Sequence, residues 1–100
     1  MFIIEQTAGY KRWFARLRDE KARARIDLRI GRLARGNPGD MKFVGGGVLE
    51  LRIDYGPGYR VYYMKRKEEV VLLLAGGDKR TQERDIHAAK DLAAKFRSAK

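Results

Sequence analysis

The apolar residues of this chain change their period partway along, from helical spacing to strand alternation, and neither an all-helical nor an all-β fold accommodates both. Tyr10, Trp13, Phe14 and Leu17 recur at helical spacing behind Thr7, which is placed to cap a helix. A second stripe, Ala22, Ile26, Ile30 and Leu33, starts near Asp19 or Glu20 and ends at Gly36-Asn37-Pro38-Gly39. Together they predict a helical hairpin. After a loop holding Gly45-Gly46-Gly47 the period becomes two. Leu49, Leu51 and Ile53 alternate with Glu50, Arg52 and Asp54, a half-buried strand over residues 48–54.

Residues 55–58 read as a turn and residues 59–65 as the next strand. Tyr59, Val61 and Tyr63 share one of its faces, and Arg60, Tyr62 and Met64 the other. Residues 65–69 form a charged hairpin tip. The unbroken apolar run at 70–75 suits a central strand covered on both faces, and Gly76-Gly77 is expected to break it. A closing helix is predicted over 81–97, with Ile86, Ala89, Ala93 and Phe96 on one face, and a short edge strand over 2–6. The expected architecture is α+β in the order β-α-α-β-β-β-α, an antiparallel sheet with the helical hairpin packed on its one apolar face. With 100 residues the chain has too little to bury in a second core, so one domain over 1–100 is predicted.

Charge narrows the partners. Lys and Arg total 23 against 13 acidic residues, a formal net charge of +10. Residues 1–40 hold ten basic and five acidic side chains and residues 41–100 thirteen and eight, so each part carries +5 and there is no detachable basic tail. A folded body this basic steers towards nucleic acid or an acidic protein. Cysteine is absent, which fits a reducing cytoplasm better than a small secreted domain. The N-terminus does not read as a signal peptide, and the 70–75 run is far short of the roughly 20 residues of a membrane span, so no membrane association is expected.

Familiar enzyme motifs are missing. Without Cys there is no thiol nucleophile; His87 is the only histidine and Ser98 the only serine; no Gly-rich phosphate loop carries a Walker lysine. The acidic residues lack metal-ligand spacing, so no metal or other cofactor is predicted. Strand alternation builds a different constellation. If Leu49, Leu51 and Ile53 face the helices, Glu50, Arg52 and Asp54 face away, and the 55–58 turn brings Arg60 and Tyr62 to the same side. Lys79 and Arg80 follow the last strand and can reach over its end. Arginine forks hold phosphates, and a tyrosine ring offers a surface for base stacking. The bland readings fit the same residues: Arg52 bridging Glu50 or Asp54 at the surface, a solvated arginine face on the second helix, Trp13 and Phe14 in the core, and His87 incidental on an exposed helix.

The segments VLELRIDYGPGYRVYY at 48–63, LLLAGGDKRTQERDIHAA at 72–89 and GYKRWFARLRDEKARARIDLRIGRLARGNPGD at 9–40 resemble the HigB-like branch of RelE/ParE toxins, also labelled addiction module killer or phage-derived Gp49-like proteins. The resemblance implies the toxin of a type II toxin–antitoxin system. Such a toxin is a metal-independent endoribonuclease (mRNA interferase) that in many relatives cuts mRNA on the ribosome and is neutralised by a helix-turn-helix antitoxin. By position, it assigns catalytic roles to Arg52, Arg60 and Lys79, with Arg80 as the alternative basic residue. Glu50, Tyr62, Arg80 and His87 are then expected to contact RNA. The C-terminus departs from the pattern. Several relatives place a catalytic Tyr or His near the chain end, where this sequence offers only His87.

With a cationic face and no protein nucleophile, the expected chemistry is attack of the ribose 2′-OH on the adjacent phosphate, with Lys79 or Glu50 taking the proton. A lysine base would need neighbouring cations to lower its pKa. Two other functions stay open: a ParE-like gyrase inhibitor that cuts no RNA, and a non-enzymatic basic RNA-binding domain.

Overall fold

Thr7 and Asp19 start the first two helices as their side chains predict: Thr7 accepts from the Tyr10 amide and Asp19 from the amides of Lys21 and Ala22. The computed structural model describes residues 1–98. Along the chain lie β1 (Ile3–Gln6), α1 (Ala8–Ala15), α2 (Glu20–Ala34), β2 (Met41–Gly45), β3 (Val48–Ile53), β4 (Tyr59–Lys67) and β5 (Val70–Asp78). A 3₁₀ turn (Lys79–Thr81) then leads into α3 (Gln82–Ser98). The fold is α+β, as expected. Among the described residues, no helix is long and apolar enough to cross a membrane.

The sheet has five strands in the order β1-β5-β4-β3-β2 and is mixed, which corrects the purely antiparallel expectation. β1 runs parallel to β5, with Gln6 beside Leu73. The direction follows from what comes next. Thr7 donates its amide to Leu73 and its hydroxyl to Leu74 at 2.7 Å, so α1 has to begin over the later part of β5. A strand delivering the chain there must run the same way.

The sequence pattern predicts no strand between α2 and β3, yet β2 forms there. It is five residues long and ends in glycine, too short and irregular to show a period. It forms nonetheless because the outer edge of β3 carries backbone groups that need partners, and Met41 pairs with Leu51.

Gly76-Gly77 does not end β5. A side chain at 76 would run into the Trp13 ring on one face, and a side chain at 77 into the Asp85 carboxylate on the other. The two glycines therefore mark close approach, not termination. The pairing of β4 and β5 shifts by one residue between Tyr62 and Tyr63, so Leu74 and Ala75 both pack in the core beneath α3.

The sheet is covered on both faces, not one. Tyr10, Ile26 and Leu33 from α1 and α2 pack with Leu51, Ile53, Val61, Tyr63, Val71 and Leu73. On the opposite face Ala89 and Ala93 from α3 pack over Val48, Tyr62, Met64, Leu72 and Leu74. The later turns of α3 cover one end of that face with apolar residues, and its first turn, with Gln82 and Asp85, meets the other. The other end is polar.

Candidate functional site

Strand pairing builds that polar end from two adjacent rungs. Arg52 stands opposite Arg60, and Glu50 opposite Tyr62, all four on the α3 side of β3 and β4. Like charges directly opposed in a sheet normally repel. Here a carboxylate lies beneath them: Glu50 is 0% exposed, and Arg52 Nε donates to its Oε1 at 2.9 Å. Arg60 Nε lies 3.9 Å from the same oxygen, beyond hydrogen-bonding reach. That nitrogen is buried with no acceptor, although Arg60 Nη1 donates to the carbonyls of Gly58 at 3.2 Å and Tyr59 at 3.3 Å.

The other oxygen of Glu50 accepts from Tyr62 Oη at 3.0 Å and from Gln82 Nε2 at 2.8 Å. Burial alone would raise this carboxyl, but the donors Arg52, Gln82 and Tyr62 outweigh it and hold it below the ordinary value. Arg52 is raised in turn, chiefly by its bond to Glu50. Tyr62 is raised by burial and by the charge on Glu50.

Two glycines and one arginine set the frame. Gly58 adopts φ +80°, which L side chains rarely adopt, and a Cβ there would lie 3.4 Å from Lys79 Cβ and 3.5 Å from Arg60 Nη1. The turn thus brings Lys79 beside Arg60. Gly77 is the strand partner of Arg60 and leaves room for Asp85, which accepts from Thr81 Oγ1. Arg29 of α2 donates to the carbonyls of Arg52, Pro38 and Asp40, so it braces the backbone under Arg52 and is not part of a solvated face.

The result is a cleft of about 340 Å³ lined by Arg52, Arg60 and Lys79, with Asp40, Asp54 and the 56–58 turn. Arg52 is 33% and Arg60 12% exposed, so both guanidiniums are half-sheltered with a face towards the cleft. Arg52, Arg60 and Lys79 are set against Asp40 and Asp54 on the lining and Glu50 beneath, so what the cleft offers an anion is the directed N–H groups of its two guanidiniums and not a net positive charge. A larger, apolar cleft of about 430 Å³ lies on the α1/α2 side. Its one charged lining residue is Lys65, so it offers little to phosphate chemistry.

Arg52, Arg60 and Lys79 are therefore brought together, and Glu50 joins them from below. One expectation is corrected, and two of the expected residues lie off the cleft. Tyr62 has no accessible ring to stack on a base, because the bulk of α3 and the bond to Glu50 hold it inside the core. Arg80 folds back on Asp78 at 3.1 Å and lines, with Arg84 and Glu83, a neighbouring surface depression that shares Lys79 with the cleft. His87 is exposed, two residues beyond the inward-facing Asp85 and so on the outer side of α3. Arg52 does pair with Glu50, as the bland reading has it, but the partner is buried and not at the surface. Sequence reasoning gave no role to Gln82, Asp85 or Arg29. Gln82 stands in the GGDKRTQ stretch that carried the resemblance, which is the signal that could have found it.

A family profile described as phage derived protein Gp49-like matches residues 12–96. A protein of Haemophilus influenzae strain Rd, described as uncharacterised, is 49% identical over 90 residues, covering 90% of this chain and 91% of its own length.

Proposed function

The chain belongs to the phage-derived Gp49-like family, and from that premise we propose that it is a RelE/ParE-type toxin that cuts mRNA without a metal ion. The observation carrying this reading is the opposed pair Arg52 and Arg60, sharing one buried carboxylate and opening with Lys79 onto a cleft. Such a site binds a phosphodiester and stabilises the charge that gathers on its phosphorus.

No cysteine is present, and no nucleophilic hydroxyl lines the cleft, so the attacking group is the ribose 2′-OH of the RNA. The 2′ oxygen bonds to phosphorus, the bond to the 5′ oxygen breaks, and the products are a 2′,3′-cyclic phosphate and a 5′-hydroxyl. The proton leaving the 2′-OH is balanced by one delivered to the 5′ oxygen. Lys79, the amine on the cleft, exchanges protons with these oxygens, and the carboxylates of Asp40 and Asp54 stand on the same lining. Glu50 does not exchange them, because three donors already occupy it. Arg52 and Arg60 stay charged and face the phosphate.

The partners follow from the same reading: mRNA, on the ribosome, and a helix-turn-helix antitoxin that meets a body of net charge +10 through acidic complementarity. The test is an in vitro translation reaction on one defined mRNA, with and without ribosomes, mapped by primer extension. Arg60→Ala is expected to lower cleavage roughly 10²–10³-fold, by analogy with a lost transition-state donor. Cuts that persist at full rate in both Arg52→Ala and Arg60→Ala would remove the assignment. Growth arrest with intact mRNA would point to gyrase instead.

A further inference from the structure

We infer that Gln82, the first residue of α3, is a positioning residue that sets the direction of Arg52 by fixing the carboxylate of Glu50. Its effect on rate rests on the nuclease reading above; the geometry that causes it does not.

A carboxylate has room for about four hydrogen bonds. Two of the three that Glu50 accepts come from its own sheet, from Arg52 on β3 and Tyr62 on β4. The third, from Gln82, comes from another layer and at 2.8 Å is the shortest. Because Tyr62 and Gln82 both occupy Oε2, Oε1 is turned outward to the arginines. Without Gln82 the carboxylate is free to rotate about its last bond, and the oxygen that orients Arg52 is no longer fixed. The unpartnered Nε of Arg60 fits the same account. A single outward oxygen serves the pair; it bonds Arg52 and leaves Arg60 at 3.9 Å.

Gln82 is itself held in place. Asp78 caps the preceding 3₁₀ turn by accepting from the Arg80 amide at 2.8 Å, and Thr81 donates to Asp85. Asp85 in turn fills the space that Gly77 leaves beside Arg60. The start of α3 is thus registered against the very rung that carries the arginines. Gln82 does not line the cleft, so its loss leaves the phosphate-binding cations present and disturbs only the aim of Arg52.

Two variants test this in the full chain. Gln82→Leu removes the donor and keeps the bulk; it is expected to lower kcat on the defined mRNA of the translation reaction about tenfold to a hundredfold while KM stays within a few-fold. Gln82→Glu is isosteric but sets a second carboxyl against Glu50. The groups around that pair are Arg52 on β3, Arg60 and Tyr62 on β4, and Asp85 on α3. Two carboxylates here cannot both ionise cheaply, so a proton shared between them restores the donor. Activity of Gln82→Glu should therefore recover as pH falls, which a purely structural defect would not do.

A second measurement needs no cleavage: solvent exchange of the Arg52 Nε–H followed by ¹⁵N NMR. Faster exchange in Gln82→Leu supports the inference even if the wild-type chain cuts no RNA, in which case the nuclease reading fails alone. Unchanged Arg52 exchange in both folded variants overturns it, as does a Gln82→Leu chain with wild-type kcat.

Discussion

The two faces of the sheet use the same strands for different ends. On the α1/α2 face every inward residue of β3, β4 and β5 in the core is aliphatic or aromatic, and Tyr10, Ile26 and Leu33 close over them. On the α3 face the apolar packing of Leu72, Leu74, Ala89 and Ala93 gives way to Glu50, Gln82, Asp85 and the arginine pair. Fully burying a Leu or Ile stabilises by about 1.5–3 kcal/mol. Burying a carboxylate does not stabilise unless its hydrogen bonds are made, and even then an apolar replacement often matches it. The first face is thus built for stability, and the surplus it provides offsets a second face arranged for charge. The difference teaches where to look for function: at the buried polar groups that the fold tolerates.

Cutting into the first face should have the largest effect. Ile26→Ala leaves a cavity in the core of the α1/α2 face and is expected to cost about 2–5 kcal/mol in urea unfolding. Cleavage per folded molecule should be unchanged. A drop in specific activity would mean that the two faces are coupled more tightly than their separate cores suggest.

The paired glycines sharpen the comparison, because they differ only in the face they meet. Gly76→Ala drives a methyl into Trp13 and Gly77→Ala one into Asp85, each costing about 1–3 kcal/mol as overpacking. Only Gly77→Ala should also lower the cleavage rate, since it displaces the helix start that carries Gln82. Equal loss of activity in both would break the distinction.

Asp19→Ala removes the α2 cap and the acceptor of Tyr55 Oη at 3.1 Å, far from the polar rungs. About 1 kcal/mol of stability should go, read as a lower melting temperature.

The smallest effect is on pH dependence. Glu50 is held below its ordinary value in the folded chain. Its stabilisation is therefore present above the unfolded carboxyl pKa of about 4.3 and lost as pH falls through the lower folded value. Glu50→Gln should lack that component of the acid limb. Acid unfolding curves of identical slope in wild type and variant would show that the donors do not hold the charge.

Much of this was legible in the sequence because it depends on local periods. The helix stripes, the Thr7 and Asp19 caps and the alternation that puts Arg52 and Arg60 on one side all follow from backbone geometry over a few residues. The placement of Lys79 was legible too, since the chain has little room to go elsewhere after β5. Tyr62 was not, because period two gives the face of a residue and not what covers that face. Its ring lies under α3, a helix whose docking on the sheet no local pattern around Tyr62 records.

The sequence by itself determined the helices, the strands other than β2, the charge and the shared side of the two arginines, since each is fixed by spacing within one element or across one turn. Only the tertiary structure decided that β1 runs parallel, that Gly76 and Gly77 extend a strand, and that Glu50 is buried under three donors. The reason is physical: those outcomes depend on which layer approaches which, and close approach between distant segments leaves no periodic trace in the chain.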